Sequence, residues 1–131
     1  YQFGERKILI QSLTHTSYGH ENSVQDNERL EFLGDAILDV IVSDLLLETF
    51  PEAPEGQLTK MRAGLVNEQA LFALTKQLNL GQFIRLGKGE ALTKGDEKPS
   101  ILSSTFEAII AAIYLDGGFH AVYGVVRALF A

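Results

Sequence analysis

Cysteine and tryptophan are absent from these 131 residues, methionine occurs once and proline three times. Without thiols the chain can form neither disulfides nor thiolate metal sites, which suits the reducing cytoplasm. No run of about 18 uncharged apolar residues is present, so no segment reads as a membrane span. Polar and charged groups are scattered through residues 1 to 20, a pattern unlike a signal peptide. The chain opens at Tyr1 with no methionine, and upstream sequence is expected to be missing. The net charge of −6 leaves little overall attraction for nucleic acid, whose phosphates call for clustered Lys and Arg. That argument weakens if the acidic residues gather in one site, and Lys60, Arg62, Arg85, Lys88, Lys94 and Lys98 form a modest basic enrichment.

What is present describes an ordinary globular chain, 46% hydrophobic and 21% charged. Its length suits a single domain able to bury about two-thirds of its unfolded surface. The spacing predicts a short apolar helix over Ile8–Leu13, a polar loop over His20–Asp26, and a long helix over Glu28–Thr49 capped by Asp26 or Asn27. Two prolines and a glycine in Phe50–Gly56 stop that helix. A further helix is expected from Gln57 or Leu58 to Leu78, closed by Asn79-Leu80-Gly81. Residues Leu86–Pro99, rich in glycine and charge, read as an exposed, mobile loop. Ser100–Leu115 is apolar on nearly every side and belongs in a core, Asp116-Gly117-Gly118 breaks it, and Phe119–Ala131 supplies a last amphipathic helix. With no repeat and no convincing strand pair, the expected class is all-α, one domain.

Two features of this pattern carry chemistry. Glu28, Glu31 and Asp35 stand at i, i+3 and i+7, within an arc of roughly 60° on one helix face, and repel one another unless a cation joins them. Glu107 is the one side chain of Ser100–Leu115 able to carry charge at neutral pH, and an isolated carboxylate in a core helix needs a partner, a proton or a metal. Packed together, these helices would form an all-oxygen cluster suited to Mg²⁺ or Mn²⁺. Such a cluster can activate water and neutralise charge on a phosphoryl group. Two plainer readings stay open: first-turn acids need only complement the helix dipole, and Glu107 could pair with Arg29 or Arg62. His15 is expected to be a structural hydrogen-bonding residue, with His20 and His120 on the surface. Gly87-Lys88-Gly89 lacks the strand and helix that a phosphate loop requires, and no Gly-x-Ser-x-Gly signature marks a serine nucleophile.

The motifs NERLEFLGDAIL (Asn27–Leu38), LTHTSY (Leu13–Tyr18), FPEAPEGQLTKMRAGLVN (Phe50–Asn67), LGKGE (Leu86–Glu90) and TFEAIIAAIYLDGG (Thr105–Gly118) together resemble the nuclease domain of the ribonuclease III family. The resemblance spans 1–131 and implies that family's all-α endonuclease fold. It further implies a homodimer and Mg²⁺-dependent cleavage of double-stranded RNA to 5′-phosphate and 3′-hydroxyl ends, with Mn²⁺ as a possible substitute, in RNA processing such as that of ribosomal precursors. Neither a small-molecule cofactor nor a membrane is implied. By position, Asp35 and Glu107 match catalytic acids, and Glu31, Asp35 and Glu107 match metal ligands. Glu28 matches a secondary acid of the RNA valley, while Phe32 matches an aromatic that enters the partner subunit, its alternative being an ordinary core residue. Lys60 and Arg62 are candidate phosphate contacts, with Lys94 and Lys98 weaker ones. Ser104 departs from the family by standing where a metal-binding Asp is usual, which raises the alternative of a weakened or non-catalytic double-stranded-RNA-binding module. The double-stranded-RNA-binding domain that commonly follows in bacterial members is expected to lie outside this chain, which reads as a nuclease-domain fragment cut at its N-terminus.

Overall fold

The computed structural model describes residues 1–130 and is built of helices, with no strand among them. In chain order these are α1 (Arg6–Ser12), α2 (Thr16–Asn22), α3 (Glu28–Thr49), α4 (Glu55–Val66), α5 (Glu68–Gln77), α6 (Lys88–Leu92), α7 (Pro99–Gly117) and α8 (Phe119–Phe130). Short 3₁₀ turns over Leu80–Phe83 and Gly95–Glu97 link α5 to α6 and α6 to α7. Of the final expected helix, Ala131 lies outside the described residues.

The two long helices form the centre. Ile37, Leu38, Ile41, Val42 and Leu46 of α3 meet Phe106, Ile110 and Ile113 of α7, with Leu71 of α5 and Val122 and Val126 of α8 closing the core. Each such aliphatic side chain contributes about 1.5–3 kcal/mol relative to exposure. α7 is apolar enough in length and composition to resemble a membrane span, yet it is the core helix, with Ala108, Ala111 and Ala112 fully buried. Pro99 starts it at the first helical position, where a missing N–H is harmless.

Small residues let the two helices approach closely at one point. Gly34 of α3 is buried, and a methyl group placed on it would stand 2.5 Å from the Glu107 carbonyl carbon and 3.1 Å from its Cα. Backbone cannot yield as a flexible side chain can, so glycine is required here for close approach. Ala108 and Ala111 beside it pack against Leu30 and prolong the contact.

Three expectations need correction. The single helix expected to end at Leu78 is two, because Asn67 takes an extended conformation and its side-chain oxygen accepts from the Ala70 N–H at 2.8 Å, starting α5. A helix absent from the sequence reading, α2, starts with His15 as its cap and takes in residues 20–22 of the expected loop. Leu86–Pro99 is exposed in large part but not structureless. It folds into α6 and a 3₁₀ turn, held by the Lys98–Glu90 ion pair, by Gly87 N–H on Ser17 Oγ (2.8 Å) and by Lys88 N–H on Glu21 (2.6 Å). The expected cap of α3 is met by Asp26, while Asn27 occupies the cap position without capping by its side chain. Its Nδ2 instead donates to Ser12 O at 2.9 Å, and Asp26 Oδ1 accepts the Glu28 N–H at 3.0 Å.

Replacing Gly34 by alanine is expected to force α3 and α7 apart and to cost about 1–3 kcal/mol of stability, read as a lower thermal midpoint. An unchanged midpoint would show that the crossing has slack.

Candidate active site

The Gly34–Glu107 contact sets the position of the acidic residues. Asp35 directly follows Gly34, and Glu31 lies one turn before it on α3, so both flank the point where α7 delivers Glu107. Glu28, Glu31, Phe32, Asp35 and Glu107 line one open cavity of about 400 Å³. Glu28 and Asp35 are exposed, whereas Glu31 and Glu107 are half-buried. The helix packing inferred from the sequence is therefore present: the structure brings Glu107 of one long helix to the carboxylate face of the other.

Electrostatics at this point are unbalanced. The described residues hold two ion pairs, Lys98–Glu90 and Arg127–Glu48, and neither reaches the cavity. The alternative pairing of Glu107 with Arg29 or Arg62 is thus contradicted, because Arg29 is exposed and Arg62 is turned to α3, where its Nη1 donates to Ser43 Oγ at 3.0 Å. Burial pushes the Glu107 carboxyl up to about 8, helped by a hydrogen bond to Asp35 and by the negative charges of Asp35, Glu31 and Asp39. Glu107 consequently keeps its proton at neutral pH when no cation is bound.

A divalent cation suits this donor set. The side chains are oxygen donors, the kind a hard dication takes, and their uncompensated charge is what a cation would neutralise. Among the described residues, no three carboxylates or imidazoles converge tightly enough as they stand to hold one ion. Like charges with no cation between them keep apart, and a cation removes that repulsion.

Other expected residues fall elsewhere. Ser104 lies one turn before Glu107 on α7, half-buried, and is not among the residues lining the cavity. Lys60 is exposed on α4, and Arg62 lines a separate depression of about 260 Å³ with Ser43 and Leu58. Lys94 is exposed, while Lys98 is engaged by Glu90. Phe32 is 82% exposed, which excludes its reading as a core residue. His15 is structural, its Nδ1 accepting from Ser17 N at 3.1 Å, and His20 and His120 are exposed. The sequence reading missed Asp39, half-buried on α3 and felt by Glu107. Its place four residues after Asp35, on the same helix face, was the available signal.

Comparison with known proteins points one way. A sequence model of the Ribonuclease-III-like family matches residues 5–131. The chain is 49% identical to Ribonuclease 3 of Syntrophobacter fumaroxidans over 99% of its own length and 55% of that protein's. It is 51% identical to Ribonuclease 3 of Streptomyces coelicolor, over 96% and 46% respectively. It spans about half the length of the curated relatives it matches. Among solved structures it is similar to a nuclease domain of ribonuclease III from Campylobacter jejuni described for flexibility in a region involved in dimer formation. That likeness has a TM-score of 0.93 at 45% identity, covering 98% of this chain and 88% of that one.

The raised Glu107 value fixes a pH dependence. Below the ordinary value of 4.5, Glu107 is protonated whether the chain is folded or not. As pH rises from there to about 8, the unfolded chain releases a proton that the folded one retains, so stability falls through this window. Melting of the metal-free protein across it should show that decline, Glu107→Gln should flatten it, and Mg²⁺ should restore stability at the alkaline end. A parent and variant with parallel profiles would remove Glu107 as the cause.

Proposed function

The chain belongs to the ribonuclease III family, and from that premise we propose that it is the nuclease domain of a double-stranded-RNA endoribonuclease. The observation that carries the reading is the set Glu31, Asp35 and Glu107 gathered at the α3–α7 crossing with no basic side chain to neutralise it. Glu31, Asp35 and Glu107 would hold Mg²⁺, or Mn²⁺ in its place, and Glu28 extends the negative rim toward the RNA. The cation, when bound, supplies Lewis-acid polarisation of the phosphoryl group and lowers the pKa of water. In the net reaction a water oxygen bonds to phosphorus, the bond to the 3′-oxygen breaks, and the products are a 5′-phosphate and a 3′-hydroxyl. Asp35 and Glu107, which line the same cavity, are placed to take a proton from the attacking water. Glu31 adds charge that keeps the cluster attractive to cations. Lys60, exposed on α4, is a candidate contact for the RNA backbone, and Arg62 is a weaker one because Ser43 holds it.

The partner for assembly is a second copy. Phe32 stands exposed on the rim of a groove of about 870 Å³ that it lines together with Ile8, Leu30 and Leu115. Glu28 and Arg29 carry opposite charges along the same groove. In a two-fold pair each copy's groove receives the other's projecting residue, so a surface holding both is self-complementary. A cytoplasmic location, with RNA processing as the role, agrees with the absence of cysteine.

The test is cleavage of a labelled RNA duplex in Mg²⁺ and in Mn²⁺. The parent should cut, and Glu107→Ala should lower the rate by about 10²–10⁴-fold with duplex binding retained. Binding without cutting in either metal would favour the second reading, a non-catalytic double-stranded-RNA-binding module, whose one support is the neutral Ser104, one turn before Glu107 on α7 and outside the cavity lining. Ser104 also generates its own expectation, since a hydroxyl is a poorer ligand for a hard dication than a carboxylate. Ser104→Asp should lower the Mg²⁺ concentration for half-maximal cleavage by about 10-fold. Identical metal curves for parent and variant would dismiss a role for this position.

A further inference from the structure

We propose that Asp116 is a positioning residue for assembly: its carboxylate clamps the chain ahead of α1 and so fixes the α1 wall of the groove in which a second copy docks. The proposal rests on the homodimer reading above and concerns what holds that groove in shape.

The wall needs holding. α1 has seven residues, too few to be helical alone, and Ser12 is the one residue of it that is fully buried. It packs on α7 and supplies Ile8 and Gln11 to the groove, while Leu115, next to Asp116, supplies part of the α7 side. At its C-terminal end α1 is tied down by Asn27 Nδ2 donating to Ser12 O (2.9 Å) and by Arg85 N–H donating to Leu13 O (2.7 Å). At its N-terminal end Glu5 occupies the cap position and makes no side-chain cap.

Asp116 takes over there from another helix. Its carboxylate accepts the Gly4 N–H at 2.9 Å, the Glu5 N–H at 2.9 Å and the Tyr1 hydroxyl at 2.5 Å. The Tyr1 ring meets Phe3 edge-on at 5.0 Å, and Phe3 packs on the core. Side-chain bulk on Gly117 would run into that ring, at 2.9 Å from its carbons. One carboxylate thus gathers three donors and seats the strap against the end of α7. These bonds are exposed and lie outside the hydrophobic core, so losing them frees one end of α1 without dismantling α3 and α7.

Sedimentation equilibrium on the parent, Tyr1→Phe, Asp116→Asn and Asp116→Ala tests this, with hydrogen exchange of the α1 amides followed in parallel. Asp116→Ala should raise the dimer dissociation constant by about tenfold and speed exchange in α1 while α3 and α7 stay protected. Tyr1→Phe, which removes one of the three donors and keeps the ring, should move both quantities the same way by less. Asp116→Asn, which keeps a carbonyl acceptor, should recover part of the loss. Should Asp116→Ala lose helix content, Tyr1→Phe decides alone. A dissociation constant unchanged in Tyr1→Phe and Asp116→Ala overturns the clamp while leaving the dimer standing. A parent that is monomeric at every concentration overturns the homodimer reading and the clamp with it.

Discussion

The contact between Gly34 and the Glu107 backbone is the constraint on which the rest of the structure depends. Two helix backbones meet there with no side chain between them, and that proximity carries Glu31 and Asp35 to Glu107. Interiors are close-packed and do not deform continuously, so a wider crossing would disturb both the core and the acidic cavity. The alanines of α7 serve the same end: Ala108, Ala111 and Ala112 are fully buried and admit α3 where larger residues would hold it off.

That packing is in tension with electrostatics. The well-buried core tolerates a half-buried carboxylate with no basic neighbour, surrounded by Asp35, Glu31 and Asp39 of like charge. Left ionised, Glu107 would oppose the burial that the crossing achieves, so the folded chain keeps it protonated or requires a counter-charge. A protein selected for stability alone would place an apolar residue there. On the proposed function, the unbalanced carboxylates are the cost of a site that attracts a dication, in keeping with the trade between stability and function.

How much of this was legible from sequence depends on whether the cause was local. The carboxylate face of α3 follows from helical periodicity, and Glu107 stands out because its neighbours on α7 are apolar, so both were readable. Asn67 was not, since its capping bond to Ala70 interrupts an apolar spacing that is continuous on either side. The order of Leu86–Pro99 was hidden for a different reason: Ser17 and Glu21, which hold Gly87 and Lys88, lie 70 and 67 residues away in sequence. Arg62 illustrates the same limit, because composition offers it to any carboxylate while the fold offers it Ser43. Asp39 was visible in principle but carried no distinct signal until burial set it near Glu107.

The placement of Phe32 ties the acidic cavity to the assembly surface proposed above. Glu28 and Phe32 line both the acidic cavity and the apolar groove, so a surface seated in one covers part of the other. Covering that rim removes water from beside carboxylates that are already poorly compensated, which strengthens their pull on a cation and on one another. Any partner that favours the neutralised cluster must, by reciprocity, be favoured by it. Assembly through the groove and cation binding in the cavity, both as proposed above, would therefore be linked through two side chains at the start of α3.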